Sequence, residues 1–165
     1  VSDLSGPPRA VRLNSGVRHV TVDPRDISIR AASVVAADCV EFFCRRNGVN
    51  DIRLVDFCKH LRDVASADDL VAWDSEADAL EIRGLGDPLP VPLDSVAGLQ
   101  GLICEANEVT ASQMFGAWTP ENVLSHLTRV IESSGLPVLH ELQRAASMQA
   151  PDRGGWGQPF KLSHA

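Results

Sequence analysis

Tyrosine is absent from this chain of 165 residues, and aromatic side chains make up only 5% of it. Three tryptophans and five phenylalanines without a tyrosine give no pattern typical of an aromatic cage or a base-stacking platform. Long apolar runs are also missing, since no stretch approaches the roughly 20 residues that cross a membrane. The first ten residues, with Asp3 and Pro7-Pro8, lack the basic start and apolar stretch of a signal peptide. The sequence therefore predicts a cytoplasmic protein without a membrane contact.

Catalytic and cofactor motifs are missing as well. No P-loop, Gly-x-Ser-x-Gly, His-Glu-x-x-His or EF-hand pattern occurs. Gly84 and Gly86 are followed by Asp-Pro-Leu-Pro instead of a helix, which excludes a phosphate-binding turn. The cysteines form no Cys-x-x-Cys pair, and Cys39 and Cys44 project about 140° apart on one helix. We therefore predict neither a metal site nor a cofactor.

The composition is that of an ordinary globular protein. With 44% hydrophobic and 22% charged residues the chain can form a stable core without disulfides or a structural metal. Its length predicts one domain over residues 1–165. Residues 1–9 are predicted to form a loose arm and residues 151–165 an irregular tail. The four cysteines lie in apolar helical segments, so we expect them to be reduced and mostly buried.

Hydrophobic periodicity predicts five helices. The most apolar one runs from Ile29 to Arg46 after a cap at Asp26 or Ser28, and a helix that is apolar on nearly all sides belongs in the centre of a domain. Glu41 and Arg45, four residues apart, are predicted to pair on its surface. The second helix is predicted to begin at the Asn50-Asp51 cap, and the third to run from an Asp94 or Ser95 cap to about Met114. The fourth is predicted to run from Pro120 to Ser133 after the Thr119 cap, and the fifth from Pro137 to Met148.

Two segments predict short antiparallel hairpins. Residues 11–13 and 17–22 alternate apolar and polar around Asn14-Ser15-Gly16. Residues 71–73 and 80–82 are predicted to pair in the same way, with a single helix through this region as the alternative. The predicted fold class is therefore α+β, dominated by helices, with two hairpins around one core. The proline-rich residues 84–92 predict an extended edge or surface loop.

The charge limits the kinds of partner. A net charge of −7 and a pI of about 5.1 disfavour nucleic acid. Solubility alone accounts for an acidic composition, and a basic protein partner is the alternative. No acidic run exceeds two residues, and the densest stretches supply five candidate binding residues, namely Asp68, Asp69, Asp74, Glu76 and Asp78. Trp156 and Phe160 in the glycine-rich tail complete the candidate set. Their rings need cover, either from their own domain or from a docked partner.

These observations favour a non-enzymatic cytosolic binding protein, such as an inhibitor, an immunity-type protein or an adaptor. The first alternative is a small enzyme whose site combines Cys104, His126 and His140 from separate helices, because a nucleophilic cysteine needs a nearby base. A homo-oligomeric structural subunit is the second alternative. The oligomeric state and the identity of the partner leave no signal in the sequence.

Overall fold

The computed structural model describes residues 21–116 and 118–162 of the chain. Six α-helices occur there, and we number them in chain order: α1 (Ile29–Arg46), α2 (Ile52–Asp63), α3 (Leu70–Glu76), α4 (Leu99–Met114), α5 (Pro120–Ser134) and α6 (Val138–Met148). Short 3-10 turns cover Pro24–Asp26, Ala77–Ala79 and Leu93–Ser95. These residues contain no strand, so the predicted α+β class is wrong, and helices are the only regular secondary structure in the described part of the chain. The first predicted hairpin lies outside the described residues, apart from Thr21 and Val22.

Helix α1 is the centre of the bundle and packs against α2, α4, α5 and α6. The Ser28 hydroxyl caps it by accepting a hydrogen bond from the backbone N–H of Ala31. Every residue from Ile29 to Ala37 is buried, as the sequence predicts for a helix that is apolar on nearly all sides. At its other end Asn47 leaves the helical path, and its side-chain amide donates to the carbonyl of Phe43 at 2.8 Å.

Two other helix starts confirm the predictions from capping residues. The Asp51 carboxylate accepts from the backbone N–H of Arg53 at the start of α2. The Thr119 hydroxyl accepts from the backbone N–H of Asn122, and Pro120 occupies the first position of α5, where its missing N–H costs nothing. Helix α6 begins directly after its proline.

The predicted start of α4 is wrong. Asp94 and Ser95 belong to a separate 3-10 turn, and the helix begins after Gly98, which has φ +82°. A residue in the left-handed region interrupts a right-handed path, so the two helical segments cannot be continuous. Only the later four-fifths of the predicted α4 therefore form the helix.

The second predicted hairpin is also wrong, because α3 occupies its first half. The Asp69 carboxylate accepts from the backbone N–H groups of Val71 and Ala72, and this cap favours a helix over a strand. Trp73 turns inward, where its indole Nε1–H donates to the carbonyl of His60 at 2.9 Å and its ring stacks on the imidazole at 4.5 Å. Of residues 71–73 only Trp73 is buried. A short helix can bury one side chain in three as well as a strand can.

The long connection between α3 and α4 joins the core without regular structure. Ile82 and Leu89 are 3% and 7% exposed and belong to the apolar cluster around α1. The side chain of Gln100 on α4 holds this connection by accepting from the backbone N–H of Leu89 at 2.9 Å and donating to the carbonyl of Asp87 at 3.0 Å. The proline-rich segment is thus an extended loop anchored to α4.

The C-terminal segment folds back onto its own domain, and we call residues 155–160 the tail strap. The carbonyls of Gly155 and Trp156 accept from the backbone N–H groups of Ile29 and Arg30 at 2.8 and 3.4 Å. These N–H groups have no partner within α1, because the first turn of any helix lacks preceding carbonyls. The Trp156 ring meets Trp73 edge to face at 6.4 Å. The strap therefore completes the first turn of the central helix.

Arg30 fixes the tail strap from inside. Its side chain belongs to a residue that is only 3% exposed, and its guanidinium donates to the carbonyl of Gly157 at 3.2 Å and to the carbonyl of Val64. Further along, the backbone N–H of Phe160 donates to the carbonyl of Ala65 at 2.7 Å. One buried cation thereby connects α1, the end of α2 and the strap.

Ion pairs join the central helix to two neighbours. Asp38 accepts from Arg62 on α2 at 2.6 Å and from Arg144 on α6 at 2.8 Å. The predicted pair between Glu41 and Arg45 is wrong. Glu41 pairs with Arg62 instead of Arg45, and the Arg62 guanidinium contacts the carboxylates of both Asp38 and Glu41 on α1.

The cysteines give a direct test of this packing. Cys39, Cys44 and Cys58 are buried, and burial raises the pKa of Cys39 and of Cys58 to about 12 and also raises the pKa of Cys44. Cys104 is half-exposed. We expect a thiol reagent at pH 8 to modify Cys104 quickly and the other three only as fast as the protein opens. Titration with and without denaturant checks this, and four fast thiols in the native protein would contradict it.

Candidate functional site

A broad concave surface lies between α4 and α5. We call it the α4–α5 groove; it encloses about 750 Å³ and is open to solvent. Its floor contains Phe43 from α1, Leu102 from α4 and the backbone of Gly98 and Gly101. An added Cβ at Gly98 would touch the Phe43 ring at 3.9 Å, whereas an added Cβ at Gly101 would meet nothing within 4 Å. The floor is therefore apolar, because Phe43 and Leu102 line it, and no side chain projects from it at the two glycines.

Four charged side chains form the rim of the groove. Glu105 lies between two basic groups: one carboxylate oxygen is 2.8 Å from Nδ1 of His126, and the other accepts from the Arg129 guanidinium at 3.3 Å. The charge of Arg129 is offset by this contact. Glu108 and Glu132 have no salt bridge to any described residue. The rim is therefore negative overall.

Two of the three candidate catalytic residues, Cys104 and His126, lie on neighbouring helices, but no hydrogen bond joins them among the described residues; His126 contacts Glu105 instead. Cys104 lines the groove, and its sulfur lies 3.4 Å from the side-chain nitrogen of Gln100. His126 bonds instead to the carboxylate next to this cysteine in sequence. His140 lies on α6, where its Nδ1 is 2.9 Å from a Glu141 oxygen. No hydrogen bond joins Cys104 to a histidine within residues 21–116 and 118–162, so the geometry gives the enzyme hypothesis no nucleophile and base pair.

The candidate acidic residues belong to a longer run of negative charge. We call Asp56–Glu81 the acidic segment; it contains eight carboxylates and two basic residues, Lys59 and Arg62, and so carries −6 of the net −7. Arg62 already binds α1. Lys59 pairs with Asp63 within α2. No run in the segment exceeds two consecutive acidic residues, so the concentration of charge appears only when both signs are counted over its whole length.

Three carboxylates of α2 and α3 lie near one histidine. Burial lowers the pKa of the His60 imidazole, and the negative charges of Glu76, Asp63 and Asp74 raise it by less. Asp56, Asp68 and Glu76 are exposed. Their carboxylates make no salt bridge to the residues that the structure describes.

The five candidate residues of this segment differ in their local tasks. Asp69 is occupied in capping α3, and Asp78 binds Arg83 at 2.7 Å. Asp68, Asp74 and Glu76 have no such contact. The tail candidates Trp156 and Phe160 are both half-buried against their own domain.

The described ranges hold no group of three or more His, Cys, Asp or Glu side chains placed to bind an ion. None of the six helices combines the length and apolarity that crossing a membrane demands.

Comparison of the chain with protein-family models, with curated proteins and with solved structures gives no match.

Proposed function

We propose that this chain is a binding protein for a basic protein partner, of the inhibitor or adaptor kind. The observation that carries the proposal is the concentration of net charge in the acidic segment, where the charges on α2 cancel and six carboxylates without a lysine or arginine among them lie in residues 68–81, in and around α3. A field of one sign over one face attracts a partner of opposite sign from a distance and orients it before contact.

An apolar side chain stands within this charged face. Val71 is 70% exposed, and Asp74 lies three residues further along α3, on the same side of the helix. Apolar groups surrounded by a charged rim are typical of protein interfaces, where the apolar contact slows dissociation and the rim sets the association rate. This composition supports a protein rather than a small cation as the partner.

Charge reversal on α3 tests the proposal. Asp74→Lys with Glu76→Lys is expected to lower the association rate constant about tenfold at 0.01 M salt while changing the dissociation rate constant less than threefold. The difference should shrink at 0.15 M salt, where the screening length falls from about 30 Å to about 8 Å. Stopped-flow kinetics with the purified partner, obtained by affinity capture, gives both constants.

The matched control moves the same charge elsewhere. Asp87→Lys with Asp94→Lys changes the net charge equally at two exposed carboxylates outside the acidic segment. An equal effect of both double variants would show that total charge matters and the face does not. An association rate that ignores salt, or turnover of a small molecule by the chain alone, would overturn the proposal.

A further inference from the structure

Gly101 has no role in the fold. It is the only glycine inside an α-helix of the described residues. Its φ is not in the left-handed region, and an added Cβ would meet no atom within 4 Å. Gly101 is the third residue of α4, in the first turn, where glycine costs less than the about 1 kcal/mol relative to alanine that it costs in a helix interior. The packing does not require glycine here, and the missing side chain leaves the surface of the α4–α5 groove open at this point.

Other glycines differ because the fold does require them. Gly155 has φ +81°, and an added Cβ would lie 2.1 Å from the Trp118 indole. Gly135 has φ +84°, ends α5, and would collide with the Arg46 guanidinium. Backbone conformation and packing require glycine at positions 135 and 155, whereas neither requires it at position 101, on the surface of the groove.

The rim indicates the charge of what lies on this floor. The carboxylates of Glu108 and Glu132 border the groove and have no ionic partner in the described parts of the chain. Arg129 does not neutralise them, because it is held by Glu105 at 3.3 Å and by the Ser125 hydroxyl at 2.8 Å. An apolar floor between unpaired carboxylates is complementary to an apolar side chain flanked by cations.

We propose that the α4–α5 groove binds a segment of the basic partner in which an apolar side chain stands next to lysine or arginine. The apolar group packs over Gly101 and the Phe43 edge, and the cations meet Glu108 and Glu132. This inference rests on the proposed function and adds a second contact to it. The acidic segment attracts the partner at long range, and the groove holds it at short range.

Selected peptides test the groove without knowledge of the partner. A library of random 15-residue peptides displayed on phage is selected on the full chain, and the recovered peptides are synthesised and measured by fluorescence anisotropy. We expect sequences with an apolar residue beside Lys or Arg. Gly101→Leu fills the groove and should weaken their binding at least tenfold while raising the stability of the protein. Glu108→Lys with Glu132→Lys should weaken it by a similar factor.

Matched variants separate the groove from other causes. Gln143→Leu places the same side chain on an exposed position of α6, and it should leave binding within twofold of the original. Urea unfolding of Gly101→Leu shows that it is folded. Recovery of no basic peptide, or of peptides that Gly101→Leu binds equally well, overturns the proposal.

Two further outcomes also decide the matter. Basic peptides that lose affinity only in Asp74→Lys with Glu76→Lys would overturn the groove and leave the proposed function standing. A dimer in analytical ultracentrifugation that Gly101→Leu alone dissociates would make a second copy of this chain the occupant, and would overturn the assignment to a basic partner.

Discussion

Replacing Phe43 with alanine is expected to lower the free energy of unfolding by about 3–5 kcal/mol. The side chain is 5% exposed and lies where α1 meets the floor of the α4–α5 groove. Its removal loses the transfer free energy of the ring and leaves a space that the surrounding helices cannot close, because α1 is held by neighbours along its whole length. Urea unfolding measures the change.

Phe115 provides the matched control for this substitution. It is 80% exposed just after α4, so Phe115→Ala removes the same atoms from a site that packs against little. We expect it to change the free energy of unfolding by no more than about 0.5 kcal/mol. Equal urea midpoints for the two variants would show that the core does not extend to the groove floor.

Replacing Arg30 with leucine is expected to cost about 2–4 kcal/mol, because the buried carbonyls of Val64 and Gly157 would each lose a donor. Leucine fills part of the space but cannot donate a hydrogen bond. The loss should also release the tail strap, which moves Trp156 away from Trp73. Urea unfolding gives the free energy, and near-ultraviolet circular dichroism reports the tryptophan contact.

Arg45→Leu is the control for the second substitution. This arginine lies on the same helix, is exposed and makes no ion pair among the described residues. Its replacement should change stability by about 0.5 kcal/mol or less. If both variants lose the same stability, Arg30 acts through its charge and not through the strap.

The helices that the sequence predicts well are those with both a capping residue and a long apolar face. Ser28, Asp51 and Thr119 each accept a backbone N–H in the structure, and the apolar periodicity after each cap is carried through several turns. Both signals are local, since a cap and a helix face depend on residues within a few positions. A single sequence therefore contains them in full.

The errors arise where the pattern is short or the decisive contact is distant. The apolar residues 71–73 are too few to distinguish a helix from a strand, and the cap at Asp69 decides the outcome. Glu41 bonds to Arg62, 21 residues away, rather than to the arginine four residues away. No periodicity records such a pairing.

The candidate site shows the same division. Cys104 and His126 were identified by residue type, but the contact of His126 is with Glu105, from another helix. The acidic residues could be predicted from composition, but their concentration in and around α3 appears only when charges of both signs are counted over 26 residues. Gly101 gave one usable signal, a glycine inside a predicted helix, although its meaning depends on the empty space around it.

The hydrogen bond from Arg30 to Gly157 spans 127 residues, and this has a consequence for synthesis on the ribosome. Helix α1 leaves the exit tunnel before α2, α4, α5 and α6, the helices that will cover its apolar surface. Its first turn stays incomplete until almost the whole described chain has followed, because the carbonyls that satisfy it come from residues 155–157. The entropic cost of closing so long a loop rises only with the logarithm of its length, but such distant contacts form slowly. Docking of the strap has to wait until residues 155–157 have been synthesised, and a nascent chain stalled before them leaves the first turn of α1 without these acceptors.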